Sequence, residues 1–195
     1  MNTPSHMSLA LAVFGRKAKP QYNAAIIWGA LVPDLSMAVL FAYELLRGYT
    51  PRQVFSEFYF APLWQNTVSF FHSIPLYALL VLIGYITKRR GLVLFSFAAL
   101  LHIAFDFPLH REDAHMHFWP LSDWKYISPV SYWDHRHYGG YWAPVELLII
   151  VISTFIGMRV LFTKWGKIMF AVVMTVMAIL QAVMLYNMMM GRGFD

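Results

Sequence analysis

The sequence predicts an all-α fold: a polytopic bundle of membrane helices that forms a single domain over residues 1–195. Of these residues, 59% are hydrophobic and only 13% are charged, whereas a soluble domain usually carries about 25% charged residues. Several apolar stretches also reach the ~20 residues that a helix needs to cross the hydrocarbon core. A chain this apolar would expose too much hydrophobic surface in water, so the lipid bilayer is its expected partner.

About five segments are long and apolar enough to span a membrane, and they lie at residues 24–46, 68–86, 91–109, 144–162 and 168–190. A shorter apolar stretch, residues 4–15, precedes them and has Pro4 in its first turn, where proline favours a helix start. Its ~12 residues rise only about 18 Å. We therefore predict a half-membrane N-terminal helix packed against the spans.

One connection, residues 110–142, is unusually long and holds five of the eight histidines together with many tryptophans and tyrosines. A connection of this length is usually functional or disordered, and so many aromatic residues argue against disorder. An aromatic belt at the level of the lipid headgroups would also account for them. We expect both, in the form of a folded, aromatic and histidine-rich cap loop on the outer membrane surface.

The positions of lysine and arginine predict the orientation of the bundle. Eight lie in alternate loops, at Arg16, Lys17, Lys19, Lys88, Arg89, Arg90, Lys164 and Lys167. Six lie on the other side, at Arg47, Arg52, Arg111, Lys125, Arg136 and Arg192. Tight cytoplasmic loops carry an excess of basic residues, so the histidine-rich loop is predicted to face the periplasm from a bacterial inner membrane. This topology explains the net charge of +5 better than nucleic-acid binding does.

Asp34, His72, His102 and Asp106 all lie inside predicted spans. Each costs ~2.5–3.5 kcal/mol on insertion scales, so a functional role is the default expectation. Structural roles remain open: Asp34 beside Pro33 could satisfy amides freed by a kink, and the others could form polar contacts between helices. His102, Asp106 and His110 follow at intervals of four and share one helix face, a spacing that suits metal ligation.

Depth provides a second argument that does not depend on spacing. Counted from the cytoplasmic end of each span at 1.5 Å per residue, Asp34 lies ~15 Å, His102 ~16 Å and Asp106 ~22 Å into the membrane. His72 lies a few residues below the outer surface, and His6 on the N-terminal helix lies at about mid-depth. All five fall between the middle of the bilayer and its outer face, which predicts a single metal site.

Histidine and carboxylate ligands without thiolates, in a chain with no cysteine, suit zinc, with manganese or iron as alternatives. His110 and Asp113 are the candidates for acid–base catalysis next to the metal. The loop pairs His115 with His117 and Asp134 with His137 are a second possible source of ligands. Two loop arginines, Arg111 and Arg136, would suit an anionic group such as phosphate.

Five motifs carry a resemblance to a known family: Ser5-His6, L-V-P-D-L at 31–35, F-H-S at 71–73, L-L-H-I-A-F-D-F-P at 100–108 and F-W-P-L-S-D-W at 118–124. Over residues 6–124 the chain resembles a divergent member of the bacterial inner-membrane metal-dependent hydrolases described as LexA-regulated. The resemblance implies His6, Asp34, His72, His102 and Asp106 as metal ligands. Two departures stand out: Ser36 replaces a second acid of the family's P-D-x-D, and only His72-Ser73 remain of a longer H-R-G-x-T-H-S.

Four functions fit these observations. The favoured expectation is a metal-dependent hydrolase that acts on a phosphoester or lipid-like substrate at the outer face of the inner membrane. Transport or handling of a metal ion or proton is the alternative, because intramembrane aspartate and histidine serve it equally well. Haem binding by paired histidines and a purely structural role complete the set. The sequence predicts no oligomeric state.

Overall fold

The computed structural model describes residues 1–161 and 163–190, and the chain is 73% helical, with no strand in the described residues. These residues form seven helices of ten or more residues: α1 (Thr3–Phe14), α2 (Asn23–Leu46), α3 (Pro62–Phe71), α4 (Ile74–Ile86), α5 (Arg90–Asp106), α6 (Gly139–Val160) and α7 (Lys164–Met189). The all-α prediction is confirmed. Residue 162, placed at the end of a predicted span, and Arg192, assigned to the outer side, lie outside the described residues.

Four segments are long and apolar enough to cross a membrane: Pro20–Leu46, Pro62–Ile86, Gly139–Val160 and Lys164–Asn187. Between 17% and 33% of the residues in their apolar cores are buried inside the protein, so most of their apolar surface faces outward, as expected in lipid. This identifies a membrane protein. Helix α5, predicted as a further span, has 17 residues and is not among the four, so the count of five stays a prediction.

The segment predicted as one span at residues 68–86 is instead two helices with a break at His72 and Ser73. Ser73 caps the second helix, because its hydroxyl accepts a bond from the Leu76 amide at 3.2 Å. Pro75 follows in the first turn, where its missing N–H costs nothing. The local sequence thus starts a new helix and leaves His72 at an irregular point of the backbone.

Helix α1 lies at the centre of the bundle and contacts α2, α5, α6 and α7. Around it α2 packs on α5, α4 on α5, and α6 on α7. The approach of α2 to α5 depends on Gly29, because a Cβ there would overlap the carbonyl group of Phe95. This close contact sets the distance between the two helices that carry most of the polar residues.

The connection from α5 to α6 folds back onto the polar end of the bundle. The backbone carbonyl of His117 accepts a hydrogen bond from the Ile74 amide at 2.8 Å, and the Ser73 hydroxyl donates to the backbone carbonyl of Trp119. Further along, the Tyr132 amide donates to the carbonyl of Leu109 at 3.1 Å. The loop is therefore held by specific bonds near the break at His72. Its position relative to a membrane surface stays a prediction.

Candidate metal centre

Four buried side chains from three parts of the bundle meet at one point: Asp34 of α2, His72 at the α3–α4 break, and His102 and Asp106 of α5. One oxygen or nitrogen atom from each lies within 4.8 Å of all the others. Nε2 of His102 is 3.0 Å from Oδ2 of Asp106 and 3.4 Å from Oδ1 of Asp34. Nε2 of His72 is 3.8 Å from the same Asp34 oxygen.

Hydrogen bonds to backbone carbonyl groups fix the ring orientations of His72 and His102. Nδ1 of His72 donates to the carbonyl of Val68 at 2.9 Å, and Nδ1 of His102 donates to that of Ala30 at 2.7 Å. A carbonyl oxygen only accepts, so a neutral ring must carry its proton on Nδ1 and keep the lone pair on Nε2. Both Nε2 atoms are buried without a hydrogen-bond partner. Metal-binding histidines are commonly oriented by such a bond from the other ring nitrogen.

The separations between these atoms suit a divalent metal ion. Ligand atoms about 2.0–2.2 Å from a tetrahedral zinc ion are about 3.3–3.6 Å from one another, and the three measured distances run from 3.0 to 3.8 Å. Two imidazoles and two carboxylates also suit manganese or iron. The buried cluster can therefore hold a metal ion.

A polar contact between helices is the competing explanation. A protonated His102 would bridge Asp34 and Asp106 and satisfy both carboxylates. However, it would leave Nε2 of His72 buried and unpaired, and an unsatisfied buried polar atom costs about 1–3 kcal/mol. A shared metal ion accounts for all four groups at once.

His6, implied as a ligand by the family resemblance, lies beside the group of four and not within it. Its ring stacks on His102 with centroids 3.6 Å apart, and its Nε2 is 2.9 Å from Oδ1 of Asp106. Asp106 thus faces His102 with one oxygen and His6 with the other, and the amino group of Met1 also lies 2.7 Å from Oδ1. In this arrangement His6 orients the Asp106 carboxylate.

His110 and Asp113, the predicted acid–base pair, lie against the cluster. Nδ1 of His110 is 2.9 Å from Oδ2 of Asp113, and its Nε2 is 3.6 Å from Oδ1 of Asp106. Burial by itself lowers the pKa of His110, but the Asp106 and Asp113 carboxylates outweigh it and raise the pKa to about 9. Burial raises the pKa of Asp113, and the neighbouring His110 more than reverses this and holds it below its usual value.

The loop histidines separate into two pairs. His115 and His117 are buried, and the His115 ring lies 4.4 Å from that of His72 and 4.8 Å from that of His110. Burial and, to a smaller extent, the neighbouring histidines lower the pKa of His117 to about 4 and that of His115 well below its usual value. Both rings are therefore neutral at pH 7 and extend the imidazole cluster toward the loop.

The other loop pair, Asp134 and His137, belongs to a separate and more exposed group. Glu112 completes this group, and the three side chains are close enough to share a cation. The Arg136 guanidinium donates from Nε to Oδ1 and from Nη2 to Oδ2 of Asp134, so an internal cation already faces this carboxylate. Arg111 donates to the carbonyl of Ser128 and lies 3.6 Å from Glu112. Both arginines therefore bond to groups of the loop itself.

Three further residues shape the site and carried no recognisable signal in the sequence. The Thr3 hydroxyl donates to Oδ2 of Asp34, the Tyr132 ring lies 5.2 Å from that of His110, and Glu146 anchors the start of α1. Glu146 accepts bonds from the Asn2 amide at 2.7 Å and the Ser5 hydroxyl at 2.8 Å. The Thr3 and Glu146 contacts cross more than thirty positions of sequence, and Tyr132 meets His110 within the connection between α5 and α6. Only the fold creates these contacts.

No family model, no curated protein and no solved structure matches the chain. The resemblance to the inner-membrane hydrolases therefore rests on the motifs alone and stays an expectation.

Proposed function

We propose that the protein is a membrane-embedded, metal-dependent hydrolase of the bacterial inner membrane, with a site that opens toward the periplasm. The proposal rests on one observation: a cluster that could hold a metal ion lies in contact with a candidate acid–base pair. The cluster of Asp34, His72, His102 and Asp106 presents two imidazole nitrogens with free lone pairs, and the His110–Asp113 pair contacts Asp106 directly.

A divalent ion, zinc in the first instance, would act there as a Lewis acid and lower the pKa of water toward ~7. The protein's own residues supply the remaining functions. His110 presents Nε2 toward the cluster, where the protonated ring can donate its proton to the leaving group. Asp113 lies at the other ring nitrogen and stabilises the charged ring, as a carboxylate does behind a catalytic histidine.

We propose a phosphoester or a lipid-like ester as the substrate, because the site lies between helices whose apolar surfaces face outward. A lipid can reach such a site from the bilayer without leaving it. The developing negative charge of a phosphoester transition state would be stabilised by the ion and by a protonated His110.

Transport of a metal ion or proton is the alternative, and one feature disfavours it. A transport path needs polar groups that continue to the other side of the membrane. Among the described residues, the buried polar side chains between the cluster and the basic end of the bundle are Ser8, Asn23, Ser96 and Ser153, none of which titrates. Uptake of metal into proteoliposomes that carry the protein would nevertheless favour transport.

The deciding experiment is metal analysis of detergent-purified protein by mass spectrometry, for the wild type and for His102→Ala and Asp106→Ala. We expect stoichiometric zinc, manganese or iron in the wild type and its loss in both variants. His135→Ala is the matched control, because His135 is an exposed loop histidine outside the cluster. A folded wild type that stays free of metal after reconstitution with each ion would remove the basis of the hydrolase proposal.

The second measurement is hydrolysis of phosphoester and carboxylic ester lipids by the metal-loaded protein. Activity that disappears with chelator and returns with metal supports the proposal. A metal-loaded protein that hydrolyses none of these lipids would favour metal handling instead.

A further inference from the structure

A cavity of about 730 Å³ opens at the end of the bundle opposite the metal centre. It lies between the end of α1, the start of α2, the end of α4 and the start of α5. Neither the metal centre nor the proposed hydrolysis uses this cavity.

The rim of the cavity is strongly basic and carries no acid. Its cations are Arg16, Lys19, Lys88 and Arg90, and none of them forms an ion pair with a carboxylate in the described part of the chain. The sequence has no aspartate or glutamate at residues 1–33 or 58–105, the stretches that supply every lining residue. Converging lysine and arginine side chains without an internal counter-ion are the usual surroundings of a bound phosphate.

The inner wall of the cavity is apolar. Ile26 is buried at 1% exposure, and Val93 and Leu94 line the space beside it. Tyr85, at 78% exposure, stands at the outer edge of α4 near the exposed side chain of Ile86. A cationic rim that continues into an apolar wall complements a molecule with a phosphate at one end and a hydrocarbon chain at the other.

We propose that this cavity binds the headgroup of an anionic phospholipid. The phosphate would lie among Arg16, Lys19, Lys88 and Arg90, and the first part of an acyl chain would lie along Ile26, Val93 and Leu94. Basic pockets between membrane helices bind acidic lipid headgroups in this way. The Arg16 guanidinium is already ordered for the role, because it donates to the carbonyl groups of Gly15 at 2.9 Å and Val13 at 3.2 Å.

The orientation rule alone would also place basic residues in these loops, but it makes no distinction between neighbours in the same loop. Lys17 and Arg89 lie in the same two loops as Lys19 and Lys88, and neither lines the cavity. Two double variants, each of which lacks two positive charges, therefore distinguish a specific lipid site from general electrostatic attraction of anionic lipid to the basic loops. The site variant is Lys19→Gln with Lys88→Gln, and the matched control is Lys17→Gln with Arg89→Gln.

The experiment is native mass spectrometry of the full-length protein in detergent, titrated with phosphatidylglycerol or with phosphatidylcholine of the same acyl chains. Thermal unfolding is measured on the same samples. We expect the wild type to retain one phosphatidylglycerol in preference to phosphatidylcholine. The site variant should bind it on the order of tenfold to thirtyfold more weakly, at ~1 kcal/mol per basic residue, and the control should stay within about twofold of the wild type.

Several outcomes would overturn the proposal. They are equal loss in the site variant and the control, equal retention of phosphatidylcholine, and thermal stabilisation by inorganic phosphate as large as that by phosphatidylglycerol. All four substituted residues are exposed, so the variants are expected to fold. Their thermal unfolding in the presence of phosphatidylcholine checks that they are folded. The charge-conserving variant Lys19→Arg with Lys88→Arg should bind phosphatidylglycerol as the wild type does. None of these readouts depends on bound metal or on hydrolysis.

Discussion

At the residue scale, the arrangement of the site is decided by what each ring nitrogen contacts. In His72 and His102 the backbone holds Nδ1 and leaves Nε2 free for a ligand. In His110 both nitrogens face carboxylates, which suits a group that accepts and releases a proton. The groups that face its ring nitrogens therefore distinguish His110 from His72 and His102.

This difference yields a prediction for Asp113. The substitution Asp113→Asn removes the carboxylate from Nδ1 of His110 but leaves the four metal-binding candidates intact. We expect the rate of lipid hydrolysis to fall by about 10²–10⁴, the usual contribution of acid–base catalysis, with metal content unchanged. Asp123→Asn, at an exposed loop position, is the control. Loss of metal in Asp113→Asn would mean that this carboxylate holds the ion and not the proton.

At the element scale, the site depends on how closely α2 approaches α5. Asp34 and the carbonyl of Ala30 belong to α2, whereas His102 and Asp106 belong to α5. Gly29 permits the approach because it has no side chain where the carbonyl group of Phe95 lies. A small residue at a helix–helix contact in lipid commonly has this function.

Gly29→Ala tests this contact. The added methyl group should push the helices apart and break the bond from His102 to Ala30. We expect a loss of about 1–3 kcal/mol of stability, as is typical of overpacking, together with metal loss. The measurements are thermal unfolding and metal analysis. Gly140→Ala is the matched control, because a Cβ at Gly140 meets nothing within 4 Å. Normal metal content in Gly29→Ala would show that the site tolerates movement of α2.

Helix α1 is held in place by a second polar network at Glu146 of α6. Its carboxylate accepts from the backbone and side chain of Asn2 and from Ser5, and Nε2 of Gln181 lies 3.4 Å away. Glu146→Ala would remove the acceptor of the Asn2 amide and of the Ser5 hydroxyl, at a cost of about 1–3 kcal/mol for a buried donor left unpaired. His6 should then lose its fixed contact with Asp106.

We therefore expect Glu146→Ala to unfold at a clearly lower temperature and to bind metal more weakly, as measured by thermal unfolding and metal titration. Glu57→Ala is the control because Glu57 is exposed. If the two variants behaved alike, the network at Glu146 would contribute nothing to the position of α1.

At the scale of the whole molecule, the two ends of the bundle differ in chemistry. One end holds the cluster that could bind a metal ion and the loop that folds over it, and the other holds a basic cavity whose lining has no acid. Because basic residues favour the cytoplasmic side, this polarity supports an orientation with the cluster toward the periplasm.

Single cysteines can measure that orientation, since the chain has none of its own. Ser122→Cys lies in the loop and Ala18→Cys at the basic end, and both positions are exposed. In intact cells with a permeabilised outer membrane, a membrane-impermeant maleimide should label Ser122→Cys and not Ala18→Cys. Lysed cells should show both labelled. The reverse pattern in intact cells would invert the topology and place the cluster on the cytoplasmic side.

Sequence patterns alone were enough to predict a helical membrane protein and the four residues of the cluster. Long apolar segments predict a bundle of membrane helices, because a helix satisfies every backbone amide and carbonyl within lipid. Asp34, His72, His102 and Asp106 could be selected because an ionisable group in an apolar span is costly. The helical period also predicted the pairing of His102 with Asp106, because residues four apart share a face.

The remaining features of the site could not be predicted from the sequence. The break at His72, the place of His6 beside the cluster and the burial of His115 and His117 depend on contacts between distant segments. The same holds for the anchoring of α1 by Glu146 and for the cavity of Arg16, Lys19, Lys88 and Arg90. Sequence periodicity describes one helix at a time. Which ring nitrogen is left free, and which charges share a cavity, depends on how the helices pack.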